Sequence, residues 1–208
     1  MSSGGLSPSA SGVFERLLRS YGPQGWWPVS AGRGAPRYRP GFKGLLGERQ
    51  RAEICVGAIL TQNTNWLNVL RALEKLHGAG IWTFEQLAAL PRARLERLIR
   101  SSGYFRQKAR KLRGFAAHAV SRKPLSRWLS GELGPLRAEL LSLWGVGPET
   151  ADSILLYAGG RAAFVVDAYT LRIGRRLGWF DARPVRDPYH DAQRRPLEQR
   201  LERFDVDQ

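Results

Sequence analysis

Apolar residues recur at helical spacing along most of the chain, and no stretch alternates apolar and polar at the period of two that marks a half-buried strand. The stretch "GVFERLLRSYG" predicts a short first helix stopped by Gly22 and Pro23. "GPQGWWPVSAGRGAPRYRPGFKG" carries too much Gly and Pro for regular structure and predicts a loop. From Glu48 to Thr61 the apolar positions are nearly continuous (Ile54, Cys55, Val56, Ala58, Ile59, Leu60), which predicts a buried central helix. Asn63 or Thr64 is placed to cap the next helix, where Trp66, Leu67, Val69, Leu70, Leu73 and Leu76 recur at helical spacing and Gly78 and Gly80 follow. Thr83 caps "TFEQLAAL", and Pro91 opens "PRARLERLIRS", which Gly103 closes. "YFRQKARKLRGFAAHAV" is a strongly basic helix, and "GPLRAELLSLW" and "DAYTLRIGRRLGW" complete the set. Short helices joined by short links predict an all-α fold.

Composition narrows the class. A chain of 208 residues with 43% hydrophobic content and seven Trp is long enough to bury a core. Its 33 Lys and Arg against 18 acidic residues leave a net charge of +15. That balance favours a polyanionic partner, nucleic acid before an anionic membrane surface. No run reaches the roughly 18 apolar residues of a membrane span. The small, polar start "MSSGGLSPSASG" reads as a flexible tail over residues 1–12 rather than a signal peptide. Cys55, within "EICVGAIL", is the one cysteine and reads as an inert core thiol. One cysteine cannot supply an intramolecular disulfide, a four-cysteine zinc site or a four-cysteine iron–sulfur cluster. The expectation is a soluble, cytoplasmic monomer with neither metal nor membrane partner. Residues 13–47 are expected to form a helix and a Gly/Pro/Trp-rich loop packing with the C-terminal lobe. A helical domain over 48–160 and a C-terminal lobe over 161–208 follow.

The chemistry concentrates in residues 143–178, "LWGVGPETADSILLYAGGRAAFVVDAYTLRIGRRLG". "LLSLW" ends one helix, "GVG" makes a tight turn, and Pro148 begins the next helix at its favoured first position. Gly145 and Gly147 tolerate positive φ, and the backbone of Gly145, Val146 and Gly147, with Thr150 in the new helix, suits a phosphate, although the same Gly-x-Gly also serves as a plain turn between helices. Asp167 stands between an apolar run and an arginine-rich helix. From the residues alone it reads first as a helix N-cap, a role compatible with a carboxylate at a reacting centre.

This pattern resembles the endonuclease III superfamily of helix-hairpin-helix DNA glycosylases, with matched segments from about Glu48 to Gly178 and the hairpin at about 139–158. The resemblance implies two helical lobes around the hairpin and places Asp167 on the family's catalytic aspartate. "VGAILTQNTNWLNVLRALEKL" resembles the family's buried helix and the turn whose glutamine, here Gln62, enters the DNA. Tyr104 falls where the family sets a wedge against the opposite strand, although it also suits a core position. Phosphate contacts are expected from Lys108 and Arg172, within the basic runs Arg106, Lys108, Arg110, Lys111, Arg113 and Arg172, Arg175, Arg176, which flank the proposed site although such runs also suit a solvated face. A monovalent cation at the hairpin carbonyls is a further implication, and no other cofactor is expected.

Two departures sharpen the expectation. Members that cleave the strand carry a lysine two residues after the second hairpin glycine, and this chain has Glu149, which cannot form an imine. Members with an iron–sulfur cluster hold it on four cysteines near the C-terminus. Both departures, with "GWWP" and "ILTQNTNW", resemble the endonuclease III-related 3-methyladenine DNA glycosylase subgroup. There the base pocket is lined by residues matching Trp27, Pro28 and Trp66, with Trp26 adjacent. Trp66 also fits a core position beside Val69 and Leu73, and Glu149 also suits the positive end of a helix.

An alkylated purine carries positive charge, so its glycosidic bond is already weak. It needs a carboxylate near C1′ and electron-rich rings around the flipped base. The expected activity is therefore monofunctional hydrolysis of alkylated purines from double-stranded DNA. The alternatives are an endonuclease III-type enzyme acting on oxidised pyrimidines and a non-catalytic DNA-binding module. "RPLEQRLERFDVDQ" ends without the family's last helices, so the second lobe is expected to be short.

Overall fold

The computed structural model of the chain describes residues 8–32, 34–42 and 46–179. Among them ten α-helices carry the regular structure, and the only β pairing is an isolated bridge between Val29 and Arg37. The all-α expectation holds. The chain divides into two compact units: Gly25–Ala163, and a smaller one of which residues 8–24 and 164–179 are described.

The larger unit is organised by α2 (Glu48–Leu60), in which every residue from Ala52 to Leu60 is buried. An apolar helix of this kind has no solvent face, so its neighbours must also satisfy its polar side chains. Glu53 Oε2 accepts from the Ser30 amide and hydroxyl, each at 2.9 Å, which folds the Trp-containing loop onto α2. Arg51 donates to the carbonyl of Ala158 on another side of the helix. The unit boundary therefore falls between Gln24 and Gly25, whereas sequence placed it at residue 47. The loop's Gly and Pro content conceals that Val29 and Ser30 are core residues of the helical domain.

α3 (Trp66–Gly78) is capped by Asn65, whose Oδ1 accepts from Asn68 N at 3.0 Å, rather than by Asn63 or Thr64. Asn63 adopts a left-handed conformation (φ 52°) in the turn before it. α4 (Phe84–Ala89) has the expected Thr83 cap, completed as a capping box by Gln86. α5 (Arg92–Leu98) follows Pro91, and a 3₁₀ turn over Arg100–Ser102 leads into α6 (Phe105–Ser121). The short α7 (Leu125–Trp128) packs on α2. α8 (Leu133–Ser142) and α9 (Pro148–Ser153) form the two arms of the hairpin, and α9 continues into a π-helical turn over Ile154–Ala158.

In the smaller unit, α1 (Ala10–Tyr21) begins inside the stretch expected to be a tail, because Ser9 Oγ accepts from Gly12 N and starts the helix. α10 (Ala168–Arg176) is capped by Asp167, and Trp179 Nε1 donates to the carbonyl of Pro8. The expected shortening of the C-terminal lobe concerns residues that lie outside the described ones. Among the described residues no helix is long and apolar enough to cross a membrane.

His77 stacks on Trp82 (centroids 3.8 Å apart), and its Nε2 lies 3.6 Å from Glu53 Oε1. Burial, reinforced by Arg49, pushes the His77 pKa down from 6.5 to about 4. Burial also pushes Glu53 above its ordinary value. Between pH 6.5 and 4 the unfolded chain binds a proton at His77 that the native chain does not, so this contribution to stability is lost as pH falls through that window. Glu53 acts in the opposite sense. Replacing His77 by Phe should therefore stabilise the protein at pH 4.5 relative to pH 7 by on the order of 1–3 kcal/mol compared with wild type, measured by denaturant unfolding at both pH values. An equal change in stability at both pH values would show that His77 is not the titrating group.

Candidate active site and nucleic-acid interface

The hairpin turn is built by one strained glycine rather than two. Gly145 has φ 84°, whereas Gly147 is extended (φ −92°, ψ 177°) and its position is sterically open. A Cβ on Gly145 would lie 2.5–2.7 Å from the side-chain carbons of Lys111, so the turn sits directly against α6. The Val146 side chain is buried, and its amide is engaged inside the turn by Leu143 O at 3.0 Å. Gly147 O accepts from Ala151 N at 2.9 Å, which closes the first turn of α9. Thr150 is buried, and its hydroxyl faces the protein.

Gln62 lies half-buried in the turn after α2, with its carboxamide on the hairpin. Its Nε2 donates to Gly145 O at 3.0 Å and to Thr150 Oγ1 at 2.9 Å, and its Oε1 accepts from Lys111 Nζ. The residue expected to enter DNA is thus docked between the hairpin and α6. Tyr104, the expected wedge, is 67% exposed and holds a left-handed backbone (φ 43°, ψ 31°) at the start of α6. Asn63 and Tyr104 are the two non-glycine residues with positive φ among the described residues, and each stands in one of the two turns expected to enter the duplex. Backbone strain of this kind, about 1–2 kcal/mol per residue, is often retained where a side chain must be aimed.

Lys108 corrects the sequence reading. It is 2% exposed and cannot reach a phosphate. Its Nζ donates to Leu60 O at 2.9 Å and to Ser102 O, and burial lowers its pKa from 10.5 to about 8. The basic run on α6 separates by helical periodicity. Lys108, Ala109, Leu112, Phe115, Ala116 and Ala119 face inward, whereas Arg106 and Arg110 are exposed. Lys111 holds Gln62, and Arg113 donates to Leu90 O. Arg110 lies over the exposed Trp144 of the hairpin, 4.2 Å from its ring centroid.

The tryptophan loop brings the expected pocket rings together and adds one that the sequence reading missed. Trp27 meets Trp66 edge-on (5.6 Å, 88°) and Tyr157 at a tilt (5.1 Å, 53°). Trp26 packs on Tyr157 (5.3 Å), and its Nε1 donates to Tyr157 O at 2.8 Å. Pro28 is half-buried beside them in sequence. Trp27 also lies on α2 at Gly57, where a Cβ would come within 3.3 Å of the indole. Trp66 is half-buried, packed both against the Trp27 ring and against the hydrophobic core. Tyr157 escaped notice because it sits on the π-helical turn, where α-helical spacing fails.

In the smaller unit Asp167 Oδ1 accepts from Thr170 N at 2.7 Å and Thr170 Oγ1 at 2.9 Å, so its N-cap role is real. Both bonds end on one oxygen and fix the carboxylate's orientation. Arg172 is exposed, 4.6 Å from the Tyr169 ring. Glu149 is exposed in the first turn of α9. Among the described residues no group of three or more His, Cys, Asp or Glu is placed to hold a metal ion.

Comparison with known proteins agrees with this geometry. The model of the family described as "HhH-GPD superfamily base excision DNA repair protein" matches residues 56–199. A Methanocaldococcus jannaschii protein named "Putative DNA repair glycosylase MJ1434" is 36% identical over 193 residues, which is 91% of this chain and 79% of that protein. Endonuclease III of Thermotoga maritima is 32% identical over 130 residues, 62% of this chain and 58% of its own. The crystal structure of H. pylori 3-methyladenine DNA glycosylase (MagIII) bound to 1,N6-ethenoadenine superposes with a TM-score of 0.62 at 28% identity, covering 72% of this chain and 69% of that one. With the hairpin, the capped aspartate and a family match across most of its length, the chain belongs to the HhH-GPD superfamily of base excision DNA repair proteins.

Proposed function

We propose that the protein is a monofunctional DNA glycosylase that hydrolyses the N-glycosidic bond of alkylated purines, above all 3-methyladenine. The observation that carries this reading is the aromatic cluster around Trp27, whose ring centroid lies 5.6 Å from that of Trp66 and 5.1 Å from that of Tyr157. Electron-rich rings favour a cationic base over its neutral counterpart by roughly 0.5–2 kcal/mol, and an alkylated purine is such a base. Similarity to the H. pylori 3-methyladenine glycosylase supports the same class.

The positive purine leaves with the bonding electron pair and becomes neutral, while C1′ acquires oxocarbenium character. The Asp167 carboxylate stabilises that charge or takes a proton from the attacking water, which closes on C1′. Glu149 stands where an amine nucleophile would be required for strand cleavage, so no imine forms there. Phosphate contact falls to the Gly147 amide and the start of α9, with Arg172 as a side-chain contributor. A monovalent cation at the hairpin would sit at its carbonyls, of which Gly145 O also accepts from Gln62 Nε2. No iron–sulfur cluster enters the proposal. The partner is double-stranded DNA, bound by a monomer.

Wild-type protein should release free 3-methyladenine from methylated duplex DNA without nicking it. Asp167→Asn should lower release by about 100-fold or more while DNA binding stays within a few-fold, scored by base release, strand nicking and gel shift in parallel. Binding without release would leave a DNA clamp in place of the enzyme, and strand nicking with a borohydride-reduced covalent protein–DNA adduct would restore a lyase.

Trp66→Leu and Tyr157→Ala should each reduce single-turnover release by about 3- to 30-fold, the worth of one cation–π contact. An unchanged rate would remove that ring from the pocket.

A further inference from the structure

A buried ammonium is costly unless its protons reach acceptors, and an apolar side chain would fill the same volume more cheaply. Lys108 has specific acceptors. Leu60 O, at the end of α2, lies two residues before Gln62, and Ser102 O lies two residues before Tyr104. Each carbonyl thus precedes one of the turns expected to enter DNA, and each turn contains one of the strained non-glycine residues, Asn63 and Tyr104. Leu60 O is also one of the terminal carbonyls that α2 cannot satisfy internally. One helical turn further along α6, Lys111 holds the Gln62 side chain. A second tie lies alongside, because Ser101 Oγ donates at 3.0 Å to Asn68 O in the first turn of α3, the helix into which the Gln62–Asn63 turn leads.

We infer that Lys108 is a positioning residue for base extrusion, its ammonium fixing the spacing between the Gln62–Asn63 turn and the Tyr104 turn so that both enter the duplex as one rigid fork. The inference rests on reading the chain as a DNA glycosylase. A fork of fixed span matters only when a paired base must be displaced and its place filled. It contributes little when the target is already unpaired. Burial lowers the Lys108 pKa only to about 8, so the side chain is mostly protonated at pH 7 and both bonds are charge-assisted.

The test uses a methylated oligonucleotide with one adenine, annealed to a complement carrying either thymine or an abasic site opposite it. Lys108→Met should lower 3-methyladenine release from the thymine duplex by about 100-fold yet stay within about threefold of wild type on the abasic duplex. Lys108→Arg, which keeps cationic donors, should recover part of the loss. Equal losses on both duplexes, or none on either, would overturn the inference, since a general folding defect does not distinguish them. If circular dichroism shows that Lys108→Met does not fold, Ser101→Ala carries the test. It should show the same dependence on pairing, about 3- to 10-fold, and a uniform effect would count against the fork. If wild type releases no base from either duplex, the glycosylase reading fails instead. The fork is then judged by 2-aminopurine fluorescence beside the methylated adenine, which should rise with wild type and not with Lys108→Met. A rise with both would reject the fork.

Discussion

A helical segment with no solvent face constrains everything around it, and Ala52–Leu60 of α2 is such a segment. Nine consecutive residues from Ala52 to Leu60 are buried, so the tryptophan loop, α6, α7 and the end of the hairpin's second helix all pack around it. Its polar groups must then be answered from those neighbours, by Ser30 for Glu53 and by the Ala158 carbonyl for Arg51. Its last carbonyl is answered by Lys108. Each bond ties a segment that carries a candidate site residue to the same rigid axis.

The same logic explains a division of labour among the basic residues. A charge of +15 suggests a uniformly cationic, DNA-facing surface. The structure instead turns several of these cations inward as hydrogen-bond donors: Lys108 to two backbone carbonyls, Lys111 to Gln62, Arg113 to Leu90. Arg106 and Arg110 of the same helix stay exposed, as do Arg92, Arg94 and Arg172 elsewhere.

Strain is placed accordingly. Gly145, Asn63 and Tyr104 hold positive φ at the hairpin turn and at the two turns expected to insert; Gly145 packs against the Lys111 side chain, Asn63 follows the Leu60 carbonyl that Lys108 holds, and Tyr104 begins α6. Rigid support beneath a strained turn keeps the exposed group aimed without cost at the moment of binding. The carboxylate of Asp167 shows the same economy on a smaller scale, since two bonds from Thr170 both orient it and start α10.

By itself the sequence determined the helical class, the position of nearly every helix, the hairpin and its Pro148 start, the Asp167 cap and the absence of a lysine at residue 149. These are local consequences of spacing, capping chemistry and glycine placement, so neighbouring residues suffice to read them. Only the tertiary structure decided that Lys108 is interior, that residues 25–42 belong to the helical domain, that Gln62 rests on the hairpin and that Tyr157 completes the aromatic cluster. A basic residue in a basic run looks the same whether its stem points to solvent or to two carbonyls from distant segments. A tyrosine on a π-helical turn faces a direction that α-helical periodicity cannot supply. Those outcomes depend on which elements meet around α2, and one-dimensional spacing does not encode that meeting.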